Sequence, residues 1–154
     1  MVSGEKACRI KYGLVIICEM DKIKVVLSFI KNVIMFLTLN HQKLDLYGFS
    51  RKFVLECYRL TKHLPPDEKF GMISQIRRAA LSVHLNIAEG ASRKSEAERK
   101  RYYEIARGSI VEIDAALDIA NDLEYLNNYA TTILGESMVK CFRMLTGMIQ
   151  SKVL

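Results

Sequence analysis

The sequence predicts an all-α protein: an antiparallel up-down-up-down four-helix bundle preceded by an N-terminal extension. Three observations predict it. From Leu44 onward, apolar residues recur three and four apart in four successive stretches, the period of one helical face. Only brief breaks separate the stretches, and short links make neighbouring helices antiparallel. The 154 residues include only two prolines and eight glycines, too little punctuation for many short strands. That length fits one domain, and 50% hydrophobic with 26% charged residues is a globular balance.

Residues 1–40 read as the extension and residues 41–154 as the bundle. Leu14–Cys18 is a short apolar run closed by Glu19 and Asp21, too short for a secretory segment. Val25–Leu39 is fifteen mostly apolar residues, short of the roughly 20 that cross a bilayer. A packed or surface-lying helix is expected there, with no membrane partner and a cytoplasmic location.

The first bundle helix is marked by Leu46, Phe49, Phe53, Cys57, Leu60 and Leu64, and Pro65-Pro66 should stop it. Ile73, Ile76, Ala80, Val83 and Ile87 mark the second. Gly90 is expected to end it by turning left-handed. Ser95 followed by Glu98 reads as a capping box opening the third, which carries Tyr103, Ala106, Ile110, Ile113, Leu117 and Ala120. Asn127-Asn128 should be its exit. Leu134, Met138, Cys141, Leu145 and Met148 give the fourth the same beat. Four seams repeating about every 3.5 residues favour left-handed wrapping around one core.

Several chemistries find no support. The four cysteines contain no C-x-x-C pair and the three histidines no H-x-x-x-H, so buried free thiols in a reducing compartment are expected. The E-x-x-H of di-metal bundles is absent, as are Gly-rich phosphate loops and nucleophile elbows. No enzyme, cofactor or metal site is expected.

Charge is the informative feature. The net charge is +6 and the pI about 9.2, which suits an anionic partner. Arg93-Lys94 and Arg99-Lys100-Arg101, followed by Tyr102, are the candidate nucleic-acid contacts: cations neutralise phosphates, and Tyr102 could stack on a base. A solvated helix start is the competing reading. Residues 109–126 hold Glu112, Asp114, Asp118, Asp122 and Glu124 with no base. This ridge opposes the helix dipole and stacks like charges at i, i+4. Pairing with Arg77 and Arg78, within the chain or across a subunit boundary, would compensate it, and so would simple solvation. Glu89, unfavourably placed at a helix C-terminus, should find a cation such as Arg93 or Arg101. His84 should be a satisfied, half-buried side chain.

Gln75-Ile76-Arg77-Arg78-Ala79-Ala80, then Asn86-Ile87-Ala88-Glu89-Gly90, then Arg93-Lys94-Ser95, and Gly108-Ser109 with Glu112 form a dispersed signature. It resembles the small bacterial four-helix bundle proteins encoded in intervening sequences of 23S rRNA genes, over about residues 42 to 150. The accessory variability protein of diversity-generating retroelements is similar to these. The resemblance implies a homopentamer with a basic surface and no established catalysis, and through the retroelement relative it implies nucleic-acid and reverse-transcriptase partners. It marks Gln75, Arg77, Arg78, Asn86, Glu89, Arg93 and Glu112 as signature residues for packing or assembly, to which the ridge adds Asp114 and Asp118. Tyr47-Gly48-Phe49 replaces the family's usual tryptophan region, and His84 stands where a proline is usual, which should leave that helix straighter. Met35 falls at the usual start, so residues 1–34 are expected to be an upstream-initiated, loosely packed addition. The expected function is non-enzymatic binding of RNA or DNA by an oligomer, with a protein-interaction scaffold as the alternative.

Overall fold

The computed structural model describes residue 37 and residues 39–151. The expectations for residues 1–34, for most of Val25–Leu39 and for Cys8 and Cys18 lie outside the described residues. Four helices follow: α1 (Asp45–Leu60), α2 (Met72–Ser92), α3 (Glu96–Asp122) and α4 (Thr132–Gln150), with short 3-10 turns at Asn40–Lys43 and Pro66–Lys69. No described helix is long and apolar enough to cross a membrane.

Each helix packs on the next in chain order, and α4 closes the ring on α1. Contacts between helices fix their directions. Ser50 meets His84 at 2.8 Å, while eleven residues further along, at the C-cap of α1, Thr61 meets Arg77 at 2.8 Å. Ser82 meets Ser109, whereas Gly90 lies against Tyr103. Phe49 meets Lys140, whereas Arg59 shares a groove with Ile133. One residue number rises as its partner falls in every case, so the helices run up, down, up, down.

The core follows the predicted seams, except that Ser50 is buried in place of Phe49 and that Ile73, Leu117 and Met148 are only half-buried. Leu46, Ser50, Phe53, Cys57, Leu60 and Leu64 are buried on the α1 side; Phe49 is only half-buried, at the edge facing α4. Ser50 tolerates the core because its hydroxyl is satisfied by the Tyr47 carbonyl and His84. Ile76 on α2, Ile113 on α3 and Met138 on α4 are all buried. Cys57 and Cys141 are free, and burial pushes both thiols up to about 12, so they serve as small apolar fillers.

Three local expectations change. Gly90 does not end α2: the helix runs to Ser92, and no described glycine has a positive φ. Its role is close approach, because a Cβ there would stand 2.7 Å from Tyr103 Cε1. Ser95 does occupy the N-cap of α3, but no side chain forms the capping bonds; Glu96 pairs with Lys100 one turn on instead. The exit of α3 comes earlier than Asn127. Glu124 adopts φ 61°, and the Tyr125 and Glu124 amides donate back to the Ala120 and Asn121 carbonyls. This is a Schellman turn built without glycine, a strain of about 1–2 kcal/mol for an L-residue.

Candidate nucleic-acid interface

The predicted basic residues gather where α2 turns into α3, yet most are occupied. The Arg93 guanidinium pairs with Glu89, which meets the expectation for that carboxylate. It also lies over the Tyr102 ring, 5.1 Å from the centroid, and donates to the Tyr102 hydroxyl at 3.1 Å. Tyr102 is therefore engaged within the chain and is not a free stacking platform. Lys100 holds Glu96 at 2.8 Å, and that bond with its charge keeps the Glu96 carboxyl below its ordinary range. Arg99 donates to the carbonyls of Arg93 and Lys94 at 3.4 Å, closing the end of α2. Lys94 and Arg101 are exposed and make no ion pair with any described residue.

Two residues of the acidic ridge face α4. Asp114 and Asp118 line the groove between α3 and α4 with Asn121 and Met138. Arg77 faces the opposite way, donating from Nε to Thr61 Oγ1 and lying 5.2 Å over Tyr58. Arg78 donates to Gln75 one turn back. Pairing of Arg77 or Arg78 with the ridge inside the chain is thus not formed: Arg77 is turned toward α1, and neither arginine makes an ion pair with a described carboxylate. Among the described residues no ridge carboxylate has an ion-pair partner.

Helix register exposes a pattern that segment-by-segment charge hides. A cross-section through the levels fixed by Ser50–His84, Ser82–Ser109 and Phe49–Lys140 cuts the bundle into two halves. The half holding the α2–α3 turn (residues 41–52, 84–108 and 138–151) carries eleven Lys and Arg against five Asp and Glu. The other half (residues 53–83 and 109–137) carries five against nine. The bundle is bipolar along its axis, at +6 and −4. Such a separation creates a directed field that orients an approaching polyanion.

The signature of α2, in contrast, is mostly mortar. Asn86 donates to Ser82's carbonyl and hydroxyl, and the Ser82 hydroxyl meets that of Ser109 at 2.9 Å. Small residues at this seam and the bare Cα of Gly90 let α2 and α3 close on each other. A family model for the 23S rRNA-intervening sequence protein matches residues 42–147. The chain belongs to that family. Comparison with curated proteins finds no match. In this intervening-sequence protein the matched span is the bundle itself, and its signature divides in two. Arg77, Asn86, Glu89 and Gly90 bind the chain to itself, whereas Gln75, Arg78, Glu112, Asp114 and Asp118 remain exposed.

His84, in the basic half, is satisfied as expected. The single Ser50 hydroxyl hydrogen goes to the Tyr47 carbonyl at 2.9 Å. His84 Nδ1, at 2.8 Å, must then carry the hydrogen and donate. The ring also stacks on Tyr47 with centroids 4.3 Å apart. Burial first, then Arg51 and His41, lowers its pKa below the ordinary 6.5. The unfolded chain therefore binds the proton more readily. His84's contribution is complete above pH 6.5 and is lost as pH falls through the depressed folded value. Urea midpoints taken downward from pH 7.5 should fall in that window, with a shallower fall in His84→Gln; identical slopes would refute the assignment.

Proposed function

We propose that this protein is a non-enzymatic nucleic-acid-binding protein that engages RNA through the basic half of its bundle. The observation that supports it is the axial charge separation, eleven basic against five acidic residues in one half. Lys94 and Arg101 are the exposed cations at the α2–α3 turn whose charge no described carboxylate answers. Arg93, Arg99, Lys100 and Tyr102 hold that turn in shape. Membership in a family named for 23S rRNA intervening sequences fits the reading. Binding of structured RNA should weaken steeply with salt, and Lys94→Glu with Arg101→Glu should reduce affinity about tenfold or more and flatten the log–log slope by about 2. Wild-type affinity in that double variant, or a flat wild-type slope, counts against it.

Self-association is the second reading, and exposed apolar side chains favour it. Leu85 on α2 is 61% exposed and Ile105 on α3 43%, and the helix register sets them level. Leu81 and Ile119 extend this outer face, with Arg78 and Glu112 as exposed charges on it. Contiguous apolar surface of this kind marks an interaction face, here one for further copies of the chain in a closed oligomer or for a docked protein. A ring would multiply a modest phosphate affinity by avidity. Leu85→Glu should lower the particle mass measured by light scattering; an unchanged mass defeats this reading.

A further inference from the structure

A second cationic feature lies where the basic half meets the acidic one, away from the α2–α3 turn. Between α1 and α4 runs a groove with the half-buried Phe49 ring in its lining. Lys140 Nζ stands 3.7 Å from the ring centroid and Lys52 Nζ 5.7 Å. Each ammonium gains from the ring's negative face, yet the two repel each other. Among the described residues neither ammonium makes an ion pair with a carboxylate. Glu56 in the same groove is taken by Arg59, and Glu136, although one turn before Lys140, makes no ion pair with it. Two cations converging on one aromatic ring, neither of them ion-paired within the chain, form a site that suits an anion.

We propose that this groove holds the phosphodiester backbone of an RNA strand, with phosphate oxygens on Lys52 and Lys140 beside the Phe49 ring. The proposal rests on the nucleic-acid reading above and adds a second contact surface to it. Two non-bridging oxygens let one phosphate accept from both ammoniums, which removes their mutual repulsion. The apolar ring lowers the local dielectric and so strengthens both contacts.

The chain contains no tryptophan, so Phe49→Trp installs a single indole reporter in the groove. Titration with a single-stranded RNA 20-mer should change its emission with the same midpoint as anisotropy gives for the labelled RNA. Lys52→Gln with Lys140→Gln, both exposed positions, should lower affinity about tenfold and flatten the log–log salt slope by about 1.5, two contacts at roughly 0.7–0.9 each. The glutamine variant keeps the test decisive if Phe49→Trp folds poorly. Wild-type affinity in the glutamine variant, while Lys94→Glu with Arg101→Glu weakens binding, overturns the groove and leaves the turn standing. Absence of RNA binding by the wild-type protein overturns both. Intact RNA binding with a lowered particle mass would show that the groove seats the acidic ridge of a second copy, which also overturns the proposal.

Discussion

Gly90→Ala should lower the stability of the bundle by about 1–3 kcal/mol, although alanine is the better helix former. In an open helix the exchange would gain about 1 kcal/mol from propensity, and Gly90 lies inside α2 with ordinary helical φ. The loss comes from the partner helix. An added methyl would sit 2.7 Å from Tyr103 Cε1, 3.0 Å from its Cδ1 and 3.1 Å from Tyr102 Cβ. Tyr103 is only 2% exposed, so its ring has no free direction in which to yield, and overpacking of this kind costs about 1–3 kcal/mol. A double-mutant cycle isolates the contact. Tyr103→Ala alone should cost about 3–5 kcal/mol by opening a cavity. In that background Gly90→Ala should turn neutral or mildly stabilising, because the obstructing ring is gone. Equal losses in both backgrounds, read from urea midpoints, would show that the close approach is not why glycine stands there.

The four seams were legible because burial imposes helical periodicity directly on the sequence. What periodicity could not resolve were choices that depend on a neighbouring helix. Phe49 fits the α1 rhythm as well as Ser50 does, and hydrophobicity alone favours the phenylalanine. Ser50 is buried because His84 on α2 supplies its partner, a fact of register and not of pattern. Gly90 likewise looked like a helix terminator, since no sequence rule marks where Tyr103 will lie. Glu124 takes a left-handed conformation usually assigned to glycine, so the real end of α3 carried no residue-type signal.

The candidate site divides along the same line. The cluster at residues 93–101 was visible as a run of charges, and the pairing of Glu89 with Arg93 followed from helix electrostatics. Which cations remain free was not visible, because Arg99 and Lys100 spend their donors on the turn itself. Phe49 and Lys52 are three residues apart on α1, a weak signal by itself; Lys140 joins them only when α4 closes against α1. The axial charge separation was hidden for the same reason, since antiparallel helices bring residues 41–52, 84–108 and 138–151 to one level.

Arg77 offers the sharpest separation between folding and assembly. Its Nε donates to Thr61 Oγ1 at 2.8 Å, and its guanidinium covers the Tyr58 ring at 5.2 Å. Thr61 is only 2% exposed, and its own hydrogen is directed to the Tyr58 carbonyl at 3.1 Å. Arg77 is therefore the donor to its remaining lone pair. A charged hydrogen bond contributes about 1.5–3 kcal/mol, and the ring contact adds about 0.5–1 at a partly exposed site. Arg77→Met should thus destabilise the chain by about 2–4 kcal/mol. Arg77→Lys should recover less than half of that, because an ammonium has neither the Nε donor nor the planar face. With Thr61→Val as the second arm of a cycle, the coupling should exceed about 1 kcal/mol. These losses should appear in urea melts without any change in particle mass, since Arg77 faces α1 of its own chain. A mass change with unaltered melting would move Arg77 from the fold to the subunit boundary.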